Sequence, residues 1–396
     1  MPEPQQIADP AVVTDGSVVE QGRWRFAVLS DVQFTSEATA TQAALVAQAR
    51  RTIREALAAE PQFLVINGDF VDRAFADDVT LAKRVIDEEI GDRLPWYYVP
   101  GNHEVTGPGD LSEWTKVFGA PSRTFDHQGT RFALMDSSLG SFRAGGFAQL
   151  LELRRALDGA ATDPKVRSFV VLAHHPIDDP APTKNSQLSD RKEAALVVDW
   201  LSDLRASTGK GAAYVGSHAG VFGASRQEGV LLPLIGNAGK GPSAAPGAGG
   251  FTGWALFGID RNAPVIAPAV RHRTAPESRA GQDSWLRVEL RPHVDALELQ
   301  VPGVAVGETA PAGATVGQDG RRVPVSYPVS ADWSGDGVHV GAPDTAPAGA
   351  VAAFEPASGV LTGLREGSGA LQVTVNGVSR TAEVAVAASQ VLLPAA

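Results

Sequence analysis

Two periodicities of apolar residues alternate along the first part of the chain. Trp24 to Ser30 is a β-prone stretch, Leu45, Val46, Ala49, Ile53 and Leu57 then recur at helical spacing, and Phe63 to Ile66 is apolar again, the pattern of a βαβ unit. The same pattern predicts a helix near Val79 to Ile90 and strands at Trp96 to Val99 and Arg131 to Met135. It continues with a helix over about Gly146 to Leu157, a strand at Ser168 to Ala173, a helix at Arg191 to Leu204 and a strand at Ala212 to Gly216. Such alternation predicts an α/β unit, a β-sheet covered by helices, in which ligands bind beyond the carboxyl ends of the strands. Helical signals end near residue 240, after which Gly239 to Gly250 is rich in Gly, Pro and Ala and Pro264 to Gln282 is irregular. From about Leu297 to Val391 short strands separated by Gly and Pro predict a small all-β sandwich, closed by a hairpin in which Leu371, Val373 and Val375 alternate before an Asn376-Gly377 turn.

Length and composition narrow this picture. At 396 residues the chain is too long for one ordinary core. The expected division is a lead-in over 1–23, an α/β domain over 24–262, a β-rich extension or linker over 263–296 and the sandwich over 297–396. A net charge of −11 argues against nucleic acid as a partner, because phosphate backbones are held by clustered Lys and Arg. With no cysteine, disulfides, thiolate catalysis and Cys-ligated zinc are excluded, so any metal must be held by His, carboxylate and amide groups. No apolar run approaches the roughly 20 residues that cross a bilayer, so no transmembrane segment is expected.

The chemistry gathers in five segments, each placed after a predicted strand: Asp31-Val32-Gln33, Gly68-Asp69-Phe70-Val71-Asp72, Gly101-Asn102-His103-Glu104, Ala173-His174-His175-Pro176 and Ser217-His218-Ala219-Gly220. Four of the eight histidines lie in them, beside Asp and Asn. One histidine at a strand end is usually structural. Four beside carboxylates and an amide, all at strand ends, point to a divalent cation.

In these segments, over residues 24 to about 260, the chain resembles the calcineurin-like metallophosphoesterases, whose pattern is D-x-H, GDxxD, GNH[DE], a lone His and GHxH. The resemblance implies a metal-dependent phosphoesterase that hydrolyses a phosphodiester or phosphomonoester with metal-bound water as nucleophile. It assigns Asp31 to the first metal, Asp69 to the bridge between two metals, and Asn102, His174 and His218 to the second. On that assignment Asp69, Asn102, His174 and His218 offer a carboxylate, an amide oxygen and two imidazoles, a set that suits Mn, Fe or Zn. Asp31, the shared Asp69 and the Gln33 carbonyl offer hard oxygens for a weaker Mg, Ca or Mn, the alternative being an empty first site. His103 becomes the acid for the leaving group, and Asp72 the residue that orients it. Two positions depart from the pattern: Gln33 replaces the first histidine and Gly220 the last, both on one half of the site. The alternative reading is therefore a weakened or inactive scaffold that binds one metal or a phosphorylated surface polymer. A second register of the last motif, with Gly216 as its glycine and Ser217 and Ala219 at the ligand positions, stays open. The register that keeps His218 places Val221-Phe222 where the next strand should begin.

Other residues have plainer readings. His175 is divided between a substrate-facing and a structural role. Asn237 and Lys240 could reach a substrate phosphate, though Gly236-Asn237-Ala238-Gly239-Lys240 reads first as a glycine turn. His127, His272, His293 and His339 have no motif neighbours, Trp96, Tyr97 and Tyr98 read as core, and Asp190 to Glu193 reads as a capped helix start. Asp332-Trp333-Ser334, Ser358 to Thr362 and the closing hairpin resemble a bacterial Ig-like domain of group 2, which implies an extracellular or cell-surface setting, with a cytoplasmic one as the alternative. The expected partner is a phosphorylated small molecule or polymer.

Overall fold

The computed structural model describes residues 7–8, 23–144, 146–263 and 285–389. Two compact units divide the chain, one ending at Leu290 and the other beginning at Arg291. The first is an α/β unit built on two mixed sheets. The seven-stranded sheet runs Ile7–Ala8, Gly223–Gln227, Val230–Leu234, Gly211–Val215, Ser168–Ala173, Thr130–Met135 and Arg123–His127. The five-stranded sheet runs Leu286–Pro292, Gly253–Asp260, Arg23–Leu29, Leu64–Asn67 and Trp96–Val99.

The strands that carry the five segments are parallel neighbours: three in the smaller sheet and, in the larger, Ser168–Ala173 and Gly211–Val215. Parallel strands covered on both faces must be apolar throughout, and Phe169 to Ala173 are each 0% exposed. The sheets meet through an aromatic layer, with Phe26 and Phe63 edge-on to Phe132 at ring distances of 5.4 and 5.3 Å. On the far side of the small sheet, helices Ala40–Ala58 and Ala76–Glu89 bury Ala49, Ile53, Val79, Val85 and Ile86. Helices Ala148–Thr162 and Arg191–Thr208 bury Leu153, Leu157, Val197 and Leu201 against the large sheet. Thr39 caps the first of these helices, and Asp190 caps the last by accepting from the N–H groups of Lys192 and Glu193 at 3.0 and 3.1 Å. Among the described residues no helix is long and apolar enough to cross a membrane.

The stretch read as a linker, 263–296, lies partly outside the described residues, as do most of the lead-in, the irregular Pro264 to Gln282 and His272. Within it, Leu286–Pro292 is an edge strand of the five-stranded sheet, held there by buried Leu286, Val288 and Leu290. The antiparallel strands Gly223–Gln227 and Val230–Leu234 complete the large sheet, and Gly253–Asp260 lies beside Arg23–Leu29 in the small one.

The second unit is strand-rich, consistent with a β-sandwich, with one three-stranded and two four-stranded sheets. Val304, Val338, Phe354, Leu361, Leu371 and Val384 share its core. Its longest pair, Gly367–Val375 with Val378–Ala387, turns through Asn376 and Gly377, whose φ angles of 45° and 80° are those a two-residue hairpin of this hand requires.

Candidate metal centre

Beyond the carboxyl ends of the parallel strands the chain turns sharply, and four residues of the segments sit in left-handed backbone: Asp31 (φ 56°), Gln33 (59°), Asp69 (52°) and His218 (65°). Each such turn costs about 1–2 kcal/mol for a non-glycine residue. Two motif glycines make the close approach feasible. A Cβ on Gly68 would stand 2.4 Å from His174 Nδ1, and one on Gly101 would stand 2.3 Å from Asp69 Oδ1. Neither position accepts a side chain without driving the ligands apart.

Asp69, His174 and His218 bring one ligand atom each within 4.8 Å of one another. His174 Nδ1 meets the carbonyl of Asn67 at 2.8 Å and must donate, because that oxygen can only accept. Its other nitrogen, Nε2, therefore faces Asp69 Oδ2 at 3.1 Å and His218 Nδ1 at 3.2 Å. Three ligand atoms come together, an arrangement that a cation would satisfy. In the metal-free chain the only cation to hand is a proton. Burial alone would lower the pKa of His174, yet Asp69 in contact with it lifts it to about 10. The Asp69 carboxylate, which burial would raise, is held well below its usual range by His174. His218 is pushed down to about 4, first by burial and then by the charge on His174, so it offers a free lone pair at neutral pH.

The fourth expected ligand is left without a partner of its own. Asn102 Oδ1 is buried and has no hydrogen-bond partner, a cost of about 1–3 kcal/mol unless something electropositive meets it. His103, next along, donates its backbone N–H to Asp69 Oδ1 at 2.9 Å. Its ring Nδ1 meets the Asp72 carbonyl at 2.7 Å and the Asp72 carboxylate at 3.2 Å. That fixes the proton on Nδ1 and turns Nε2 toward Asp69 Oδ2, 3.8 Å away.

Residues 25–229 match the family model for calcineurin-like phosphoesterases, just over half of the 396-residue chain. The chain belongs to that family. No curated protein matches it. Solved structures similar to this phosphoesterase include a dimetal phosphatase from Danio rerio, at 15% identity over 60% of this chain and 94% of that one, with a TM-score of 0.43. Another is GAP50, the anchor in the inner membrane complex of Plasmodium, at 13% identity over 66% and 94%, with a TM-score of 0.43. A third is a purple acid phosphatase from yellow lupin, at 11% identity over 66% of this chain and 57% of that one, TM-score 0.42.

The other half of the centre departs from the family pattern. Asp31 is buried, its Oδ2 accepting from Ser30 Oγ at 2.7 Å and from the His218 N–H at 3.3 Å, and burial raises its pKa to about 6. Gln33 directs its amide nitrogen, not its carbonyl, at Asp69 Oδ2, 3.1 Å away. Gly220 adopts φ +69°, and a Cβ there would lie 3.3 Å from Asn237 Oδ1. Restoring an imidazole by Gly220→His is expected to strain the backbone by about 1–2 kcal/mol and to collide with Asn237. A lowered melting temperature with no gain in metal content would show this.

Among the remaining candidates, His175 is buried against His218, its ring 4.3 Å away, with Nδ1 on Ser137 Oγ at 3.1 Å. Burial first, then the neighbouring imidazoles, keeps it neutral. Lys240 is exposed, and its backbone N–H, like that of Gly239, is bound by the Asp31 carbonyl. His127 meets Trp24 edge-on and bonds to Gln62, while Tyr98 is core.

Two residues central to the site had no role in the sequence reading. Glu104 is fully buried, and its carboxylate accepts from the N–H groups of Asp69, Phe70, Val71 and Gly101 and from Tyr98 Oη. Its place as the acid closing Gly101-Asn102-His103-Glu104 was the available signal. Asn67 ties the sheets together, its Nδ2 donating to Ala173 O at 3.0 Å and Ser217 Oγ at 2.8 Å. As the last residue of an apolar strand it gave no signal.

The lone-pair geometry predicts proton release. At pH 7 a divalent ion must displace the proton held by His174, whose pKa near 10 means it is protonated throughout the neutral range. Apparent affinity is therefore expected to rise about tenfold per pH unit between roughly 7 and 9. Calorimetric titration in buffers of different ionisation enthalpy should report about one proton released per tightly bound ion. Release of none would contradict this geometry.

Proposed function

We propose that the chain is a metal-dependent hydrolase of phosphate esters, either a phosphodiester or a phosphomonoester, with Asp69, Asn102, His174 and His218 holding a divalent ion and His103 serving as acid. The observation that carries the reading is the convergence of three lone pairs beside a buried, unpartnered Asn102 Oδ1, with His103 Nε2 turned toward the same carboxylate. One carboxylate, one amide and two imidazoles suit Mn, Fe or Zn. When bound, the ion supplies Lewis-acid charge and an activated water. The protein's own part is to orient: Asn67 fixes the tautomer of His174, Asp72 fixes that of His103, and Asp69 fastens the His103 backbone.

The test is hydrolysis of bis(p-nitrophenyl) phosphate and p-nitrophenyl phosphate by metal-stripped protein supplied with Mn²⁺, Fe²⁺ or Zn²⁺. Turnover that depends on the ion and is lost in Asn102→Ala supports the reading, and no turnover with any ion overturns it. A specific observation favours the weaker-scaffold reading as second choice: the Gln33 amide N–H occupies Asp69 Oδ2, the oxygen that also faces His174. In that case metal binds tightly but turnover is absent. The strand-rich second unit is read as an Ig-like spacer of an exported or surface protein, supported by its sandwich-like sheets and closing hairpin.

A further inference from the structure

Besides those of Asn67 and Asn102, one more buried amide oxygen lacks a partner, and it lies beside Gly220 in the half of the centre that has lost both histidines. Asn237 follows the strand Val230–Leu234, is 3% exposed, and its Oδ1 has no hydrogen-bond partner. It is in the same condition as Asn102 Oδ1. Its segment is stitched to the Asp31 turn: Ala238 N–H donates to Ser30 O at 2.7 Å, and the N–H groups of Gly239 and Lys240 donate to Asp31 O at 3.2 and 3.1 Å. Its side chain fills the space that a side chain at 220 would enter, since a Cβ on Gly220 would stand 3.3 Å from Oδ1 and 3.5 Å from Nδ2. The Asp31 carboxylate is anchored two residues from that glycine, on the His218 N–H.

We propose that Asn237 supplies, from a different loop, the ligand that Gly220 lacks, so that Asp31, Asp69 and the Asn237 side-chain oxygen form a second, oxygen-only cation position beside the first. The proposal rests on the metal centre of the preceding section and adds to it a residue outside the five segments. Oxygen donors without imidazole suit Mn²⁺ or Mg²⁺ held loosely with several waters, in contrast to the two-imidazole position. Gln33 joins such a set by turning its amide over, which exchanges Nε2 for Oε1 at nearly the same place.

The experiment is titration of the metal-stripped full chain with Mn²⁺, followed by calorimetry and by electron paramagnetic resonance. Wild type is expected to take up two ions, the second at least about tenfold more weakly, with an exchange-coupled signal when both are bound. Asn237→Ala should keep the tight event, lose the weak one and show only an uncoupled six-line spectrum. Asn237→Asp, nearly the same in shape, should tighten the weak event by about tenfold, and it decides the matter if the alanine variant does not fold. Two ions retained in Asn237→Ala, a weak event unmoved in Asn237→Asp, or a wild type that binds one ion would each overturn the proposal while leaving the first position intact. Binding of no Mn²⁺ by wild type would overturn the proposal and the metal centre together.

Discussion

His103→Ala is expected to lower kcat for an aryl phosphodiester by about 10²–10⁴-fold while metal content stays at the wild-type level. The His103 ring touches the centre only at its edge, with Nε2 3.8 Å from Asp69 Oδ2, so removing it takes away a proton donor rather than a ligand. Its backbone N–H, which braces Asp69 Oδ1, survives the substitution. Asp72→Ala should cost far less, under about tenfold, because one exposed hydrogen bond contributes about 0.5–1.5 kcal/mol and the nearer partner of Nδ1 is the main-chain carbonyl, at 2.7 Å against 3.2 Å for the carboxylate. Steady-state kinetics paired with metal analysis separates the two roles. A His103→Ala enzyme of undiminished kcat would place the acid elsewhere.

Glu104→Ala is expected to be the most destabilising single change in the first unit, at roughly 3–5 kcal/mol. One carboxylate holds four backbone N–H groups and a tyrosine hydroxyl, in contacts from 2.5 to 3.4 Å, and all of these donors belong to buried residues. Truncation leaves several buried donors unsatisfied at about 1–3 kcal/mol each, partly relieved by relaxation. Total stabilities of domains run only about 5–15 kcal/mol, so the loss is a large share. The turns after Leu64–Asn67 and Trp96–Val99 should separate, and metal affinity should fall with stability. Urea unfolding followed by tryptophan fluorescence would measure the effect. A loss below about 1 kcal/mol would mean that the donors find other partners.

The parallel strands were legible because burial on both faces demands unbroken apolar runs, and Trp96–Val99 and Ser168–Ala173 have the same ends in sequence and structure. The segments that follow them were legible because polar residues crowd where such runs stop. Gly223–Gln227 was anticipated only by its start, at Val221-Phe222: with Gly, Ala, Ser, Arg and Gln and a half-exposed alternation the strand itself presents little apolar signal. Ser112–Phe118, a helix of under two turns, was too short to show a period. Within the centre, Asp69 and His174 carry their chemistry in their side-chain type, whereas Glu104 acts by gathering backbone donors and Asn67 by spanning two layers. Such roles depend on partners far away in sequence, as with Asn67 and Ser217. Asn237 was legible as a loop residue near the cleft but not as an acceptor left without a donor, which only packing reveals.

Asp69 and Asn102 are carried by one sheet, His174 and His218 by the other. An ion held by all four would act as a rivet through both layers, opposing any sliding of one past the other. Loading should therefore slow amide exchange in Leu64–Asn67 and Ser168–Ala173 together, a mechanical coupling that outlasts any particular substrate.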